Sequence, residues 1–86
     1  MKIRVVTMGR HYHETEDLPE FLELQEQASL DQAIERLRQL LPPGVDFPGS
    51  CLIALSGKHV GSIDSHSAVP LSDGDELMLL APVAGG

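Results

Sequence analysis

The sequence predicts an α+β domain in which a mixed sheet of four or five strands packs against one main helix. Three observations carry this prediction: an alternating, β-branched first stretch, one strongly amphipathic segment near the middle, and a late stretch that is apolar on both faces. With 86 residues, the chain has room for a single domain. We expect this domain to span residues 1–81 and a flexible tail to span residues 82–86.

Two strands are expected at the start of the chain. Lys2–Met8 alternates β-branched residues on one face with charged and apolar residues on the other, which is typical of a first strand. A glycine and several acids then break the alternation and indicate an irregular connection. A second strand over residues 21–27 would point Leu22 and Leu24 inward, so the two strands form a hairpin with a long loop.

The helix is the clearest predicted element and runs from about Ser29 to Leu41. Ser29 can accept hydrogen bonds from the first turn, and Gln32 follows three residues later, as a capping box requires. Prolines at positions 42 and 43 end the helix because proline has no amide to donate. Apolar residues at helical spacing predict one buried stripe. The stripe consists of Leu30, Ala33, Ile34, Leu37, Leu40 and Leu41.

Three further strands complete the predicted sheet. We place them at residues 51–56, around residues 58–60 and at residues 76–81, the last after a turn over residues 70–75 in which an Asp-Gly pair supplies permissive backbone. The order strand, strand, helix, strand, short strand, strand describes a β-grasp fold. We expect the loop between the last two strands to span residues 61–68.

The last strand predicts a surface for a partner. One helix covers one face of a sheet, so either Leu77 and Leu79 or Met78 and Leu80 must point away from it. An exposed apolar patch of this kind marks a partner surface more often than not, the alternatives being that loops cover it or that these are scattered exposed apolar residues. We therefore assign partner binding to Met78, Leu80 and Leu79.

Composition limits the kinds of partner. Thirteen acids against six Lys and Arg give a formal net charge of −7, which repels phosphate backbones and favours a basic protein partner over nucleic acid. No apolar run approaches the ~18 residues of a membrane helix, and the first residues do not form a signal peptide. We expect a cytoplasmic protein without membrane contact. A single cysteine agrees with a reducing compartment.

The side chains offer little catalytic chemistry. Cys51 opens a core strand, so we expect a buried small hydrophobe there. His11 and His13 could place two imidazoles on one side of an extended segment, but two ligands do not make a structural zinc site, and His59 and His66 are distant in sequence. We predict no metal site. No spacing suggests a hydrolytic triad, and we expect no catalytic acid, base or nucleophile.

The end of the sequence is the candidate reactive segment. It reads Pro82, Val83, Ala84, Gly85, Gly86 and carries no charged side chain. Pro82 cannot extend a sheet and so separates the last strand from the tail. Gly85 and Gly86 lack side chains, so this tail can thread a narrow channel. We expect the carboxyl group of Gly86 to be the reactive group.

Two segments resemble the ubiquitin-like sulfur carriers, and most of all the small subunit of molybdopterin synthase. Residues 70–77 are similar to that family's Pro-Leu-x-Asp-Gly-Asp-Glu-Val segment, and residues 82–86 to its Pro-Val-x-Gly-Gly ending. The order of elements fits the whole chain. The sequence departs from the family at residues 79–81, where members usually have phenylalanines, and at residues 8–13, where they commonly carry an aromatic-Ala segment followed by Arg-Glu.

The resemblance implies that a partner enzyme adenylates the Gly86 carboxyl group with ATP. Sulfur would then displace AMP, and the resulting thiocarboxylate would deliver sulfur within the large subunit of molybdopterin synthase. The chain would act as a co-substrate that carries sulfur covalently and holds no tightly bound cofactor. A protein modifier joined to lysines through Gly86 and a sulfur carrier for another pathway, such as thiamin synthesis, use the same activation. A plain β-grasp interaction module is the third interpretation.

Overall fold

The computed structural model describes residues 1–8, 18–41, 43–44, 46–47 and 49–80. Within these residues the elements are β1 (Lys2–Met8), β2 (Phe21–Glu23), α1 (Leu30–Leu40), β3 (Leu52–Leu55), β4 (Lys58–Ser62) and β5 (Glu76–Leu80). The strands form one sheet in the order β2-β1-β5-β3-β4. β1 and β5 are parallel, and the other neighbouring pairs are antiparallel. This arrangement confirms the predicted β-grasp fold.

The core lies between α1 and one face of the sheet, and β5 provides its centre. Leu77 and Leu79 are 0% and 2% exposed. Leu77 lies opposite Val5 of β1 and Leu55 of β3, so apolar side chains from three neighbouring strands meet beneath the helix. Of the two arrangements left open by the sequence, Leu77 and Leu79 therefore face α1. The assignment of Leu79 to a partner-binding surface was wrong, because its side chain belongs to the core.

The helix forms as its capping residues predict, except at its last turn. The Ser29 N–H donates to Gln32 Oε1 at 2.8 Å, and the Gln32 N–H donates to Ser29 Oγ at 3.3 Å, which completes the capping box. Leu40 is 38% exposed and does not continue the buried stripe. The chain leaves helical geometry at Leu41, whose extended backbone turns that side chain into the core instead.

The second strand is shorter than predicted. β2 pairs with β1 over Phe21–Glu23, and the ladder stops where β1 begins. Leu24 remains partly buried against the core. Gln27 then adopts a φ of +70°, a left-handed conformation that no strand contains, and the chain turns toward the helix.

The predicted turn before β5 ties this strand to its neighbours. The Lys2 N–H donates to Asp73 Oδ1 at 2.7 Å, and the Gly74 N–H donates to the Lys2 carbonyl at 2.8 Å. Asp75 accepts from the Ser72 N–H at 2.7 Å and from the Ser56 hydroxyl at 2.8 Å. Asp73 therefore binds the backbone of β1, and Asp75 binds the hydroxyl group of Ser56 directly after β3.

The last antiparallel pair extends further than predicted. β4 continues through Gly61 and Ser62, two residues that the sequence assigned to a loop. Gly61 has a φ of +131°, and a Cβ atom there would lie 2.3 Å from the Ser65 carbonyl oxygen. Only glycine permits this close approach, which lets the chain fold back against β4.

Three predictions fall outside the described residues: the tail at residues 82–86, the domain boundary after residue 81 and the loop that carries His11 and His13. For the part of the chain that is described, no helix is both long enough and apolar enough to span a membrane.

Neighbouring leucines on β5 should differ in their effect on stability. Leu79→Ala should lower the free energy of unfolding by about 2–5 kcal/mol because it leaves a cavity in the core. Leu80→Ala should lower it by about 1 kcal/mol, since Leu80 lies on the opposite, partly exposed face. Urea denaturation followed by circular dichroism measures both values, and equal losses would contradict the orientation of β5.

Candidate functional site

The sheet face opposite α1 carries two adjoining rows of apolar side chains. In one row Met78 of β5 lies between Val6 of β1 and Ala54 of β3, and in the next row Leu80 lies between Met8 and Leu52. We call this surface the open-face patch. It consists of Val6, Met8, Leu52, Ala54, Met78 and Leu80.

The open-face patch is accessible across all three strands. Met8 and Leu52 are 50% and 43% exposed, and the four other members are partly exposed. Single exposed apolar residues are common, but a contiguous group of six on a sheet of this size is typical of an interaction surface. The structure thus places Met78 and Leu80 on the sheet face away from α1 and brings four residues beside them that the sequence analysis did not assign.

The open-face patch lies at the end of the sheet from which the chain continues toward Gly86. Leu80 is the last residue of β5, and six further residues lead from it to Gly86. Six extended residues span at most about 22 Å. A protein that covers the open-face patch could therefore contact Gly86 as well.

The other end of the same sheet face is charged. Arg4 and Glu76 lie opposite each other on β1 and β5, and Arg4 also forms a 3.7 Å ion pair with Glu20. The Lys2 ammonium group lies 4.5 Å from the centre of the Phe21 ring. Because such exposed ion pairs add little stability, this end contributes mainly polarity. The face is thus apolar at its Leu80 end, whereas charged side chains surround Phe21 at the other end.

Cys51 is a core residue, as predicted. Its side chain is 2% exposed, and its sulfur lies 3.9 Å from the Leu52 carbonyl oxygen. Burial raises the pKa of the Cys51 thiol above its ordinary value, against a smaller opposing effect of a backbone hydrogen bond at Leu80. Since the thiolate is the nucleophilic form, burial and the raised pKa both disfavour nucleophilic chemistry at Cys51.

The two described histidines have different surroundings. His59 is exposed on β4, whereas the His66 ring contacts the Ser62 carbonyl and the carboxylate of Asp31. Among the described residues, no three His, Cys, Asp or Glu side chains lie close enough together to hold a metal ion. The sequence analysis missed the pairing of His66 with Asp31, since 35 residues separate them and no local pattern joins them.

The sequence of the chain matches the model of the ThiS family over residues 8–86. The matched region begins at the last residue of β1 and includes α1, the Asp-Gly-Asp turn, β5 and the Gly85-Gly86 ending. No curated protein matches the chain.

Burial of Cys51 should make its thiol unreactive in the folded protein. At pH 7 we expect reaction with Ellman's reagent to be at least about 100-fold slower than in 8 M urea, because the core must open first. The rate is followed by the absorbance of the released thiolate, and the urea-unfolded protein provides the reference. A native rate close to the unfolded rate would contradict the buried position of this side chain.

Proposed function

Because the chain belongs to the ThiS family of ubiquitin-like sulfur carriers, we propose that it serves as the sulfur-donating small subunit of a molybdopterin synthase. The observation that carries the sulfur-carrier role is the family match, which reaches through Gly85 and Gly86. The choice of pathway rests on the similarity of residues 70–77 and 82–86 to the small subunit of that synthase. On this proposal the protein works in the cytoplasm.

The proposed chemistry begins at the Gly86 carboxylate. A carboxylate is a poor electrophile because its charge is delocalised and an oxide would have to leave. In the proposed sequence one carboxylate oxygen attacks the α-phosphorus of ATP, pyrophosphate leaves, and an acyl adenylate forms. Hydrosulfide from the sulfur donor then attacks the carbonyl carbon, AMP leaves with the former carboxylate oxygen, and a thiocarboxylate and one proton remain. The thiocarboxylate sulfur then displaces a leaving group from the acceptor in the large subunit, and water hydrolyses the resulting thioester, which leaves a thiol on the acceptor and a carboxylate on Gly86.

The chain's own contribution is to present this carboxyl group. Gly86 has no side chain to crowd the carbonyl carbon, and Gly85 and Pro82 shape a segment that can enter a narrow channel. The partner enzymes supply ATP and the sulfur donor. Cys51 takes no part on this proposal, because its thiol is buried and its pKa is raised.

The open-face patch is the proposed docking surface for both the adenylating enzyme and the large subunit. Leu80 belongs to this patch and ends β5, so Gly86, six residues further on, lies within about 22 Å of a partner bound there. The net charge of −7 favours partners with basic surfaces around an apolar centre. Apolar contact would supply affinity, and charge would speed the encounter.

The family match is equally compatible with a carrier that serves thiamin synthesis. The two pathways differ in the protein that accepts the sulfur. Stable pairing with a molybdopterin synthase large subunit would therefore favour the molybdopterin pathway over thiamin synthesis. A protein modifier would instead yield covalent adducts between Gly86 and lysines of other proteins. Immunoblots of cell extracts detect such adducts as species of higher mass.

A side chain at Gly86 should block activation without affecting the fold. With the cognate adenylating enzyme and MgATP, Gly86→Val should reduce acyl-adenylate formation to background, because a β-branched side chain crowds the carbonyl carbon. Mass spectrometry detects the adenylate. Ala68→Val adds the same branched side chain on an exposed loop and should react like the wild type. Normal activation of Gly86→Val would contradict the proposal.

Two similarly exposed leucines on opposite sides of the domain test the docking surface. Leu52 in the open-face patch is 43% exposed, and Leu40 at the end of α1 is 38% exposed. Leu52→Asp should raise the Kd for the adenylating enzyme at least about tenfold, as expected for a charge placed in an apolar contact. Leu40→Asp should change it less than about twofold. Calorimetry measures both, and equal effects would move the docking site off this face.

A further inference from the structure

The His66 ring lies between two groups that accept hydrogen bonds. Its Nδ1 atom is 2.8 Å from the Ser62 carbonyl oxygen, and its Nε2 atom is 2.6 Å from Asp31 Oδ1. A neutral imidazole has one N–H donor and one lone pair, so in either tautomer one ring nitrogen would turn its lone pair toward an oxygen. Only the imidazolium donates to both partners. The geometry therefore fits the protonated ring.

The surroundings of the ring point the same way. The His66 side chain is 12% exposed, and Asp31 of α1 is the charged side chain that faces it. From β4 and the turn after it, the ring meets the backbone carbonyl of Ser62 and the backbone of Ile63. The hydrogen bond to Asp31, followed by the one to Ser62, raises the pKa of His66 above 6.5, against burial, which lowers it.

The contact joins two parts of the fold that are distant in sequence. Asp31 lies in the first turn of α1, whereas His66 follows a tight turn closed by the Ser62 N–H donating to the Ser65 carbonyl at 2.8 Å. The Ser67 N–H donates to the Val60 carbonyl at 3.0 Å and holds the turn against β4. Ser62 lies opposite Leu52 in the sheet. The contact thus ties α1 to β4, the edge strand of the sheet, through the Ser62 carbonyl.

We propose that His66 and Asp31 form a proton-operated clasp between the turn after β4 and the N-terminus of α1. The clasp is closed when the ring carries both protons. When the ring releases a proton to solvent, either the Ser62 or the Asp31 hydrogen bond is lost and the turn is freed to open. The proposal does not depend on the sulfur-carrier role.

The direction of the pH effect follows from the raised pKa. The pKa of His66 is higher in the closed state than in the open state, so protonation favours closure. This stabilisation is fully present at a pH below the open-state pKa and is lost as the pH rises through the closed-state pKa. The clasp is therefore closed at mildly acidic pH and weakens through neutral to basic pH. Because one proton is linked, closure weakens by at most about tenfold per pH unit.

Asp31→Asn tests the proton dependence without removing the contact. The side-chain amide that this substitution introduces can donate to the Nε2 lone pair of a neutral ring whose Nδ1–H donates to Ser62, so the neutral form gains two good partners. We expect the pKa of His66, measured by NMR titration, to fall in this variant. Asp64→Asn is the matched control, because it removes the same charge from the turn that carries His66. In the wild type the Asp64 carboxylate lies against Gly49.

Hydrogen exchange at the Ser65 and Ser67 amides reports whether the clasp opens. After correction for the intrinsic exchange rate, protection should fall between pH 6 and pH 8 in the wild type and in Asp64→Asn. It should stay constant in Asp31→Asn and in His66→Gln, which has no titrating ring. A wild-type His66 pKa at or below about 6.5 would overturn the proposal. So would the same loss of protection in all four proteins.

Discussion

The parallel pairing of β1 with β5 is the constraint on which the rest of the structure depends. It brings residues 4–8 beside residues 76–80, so a crossover must connect these two parallel strands across the sheet. α1 lies in this crossover and covers one sheet face. Because side chains alternate along a strand, burying Leu77 and Leu79 beneath α1 commits Met78 and Leu80 to the other face. A slip of one residue would exchange the core residues of β5 with those of the open-face patch.

On the proposed function, this constraint explains how a small domain can present a reactive C-terminal carboxyl group to its partners. β5 is anchored at its start by Asp73 and Asp75, buried along one face, and continuous with the segment that leads to Gly86. A partner that recognises the open-face patch therefore also locates the start of the tail. β5 thus contributes to the core and, on the proposed function, also holds the segment that leads to Gly86. The chemistry then takes place in the partner enzymes.

Local signals in the sequence predicted the elements that depend on local physics. The alternation in Lys2–Met8 and the Ser29–Gln32 capping box were both confirmed. The errors occurred where distant segments decide the outcome. β2 is short because its ladder with β1 ends at Glu23 and the chain turns toward α1 at Gln27, and Leu79 is buried because the helix lies on its side of the sheet. The pair of His66 and Asp31 depends entirely on tertiary structure, so no pattern near either residue could predict it.

The central claim is that this protein carries sulfur on the carboxyl group of Gly86. The most direct test is the intact mass of the protein purified from cells in which it is naturally made and the pathway is active, followed by fragmentation of its C-terminal peptide. The account predicts a species in which one oxygen is replaced by sulfur, with the change located at Gly86. A protein that carries only the unmodified carboxylate under these conditions, or carries sulfur elsewhere, would contradict it.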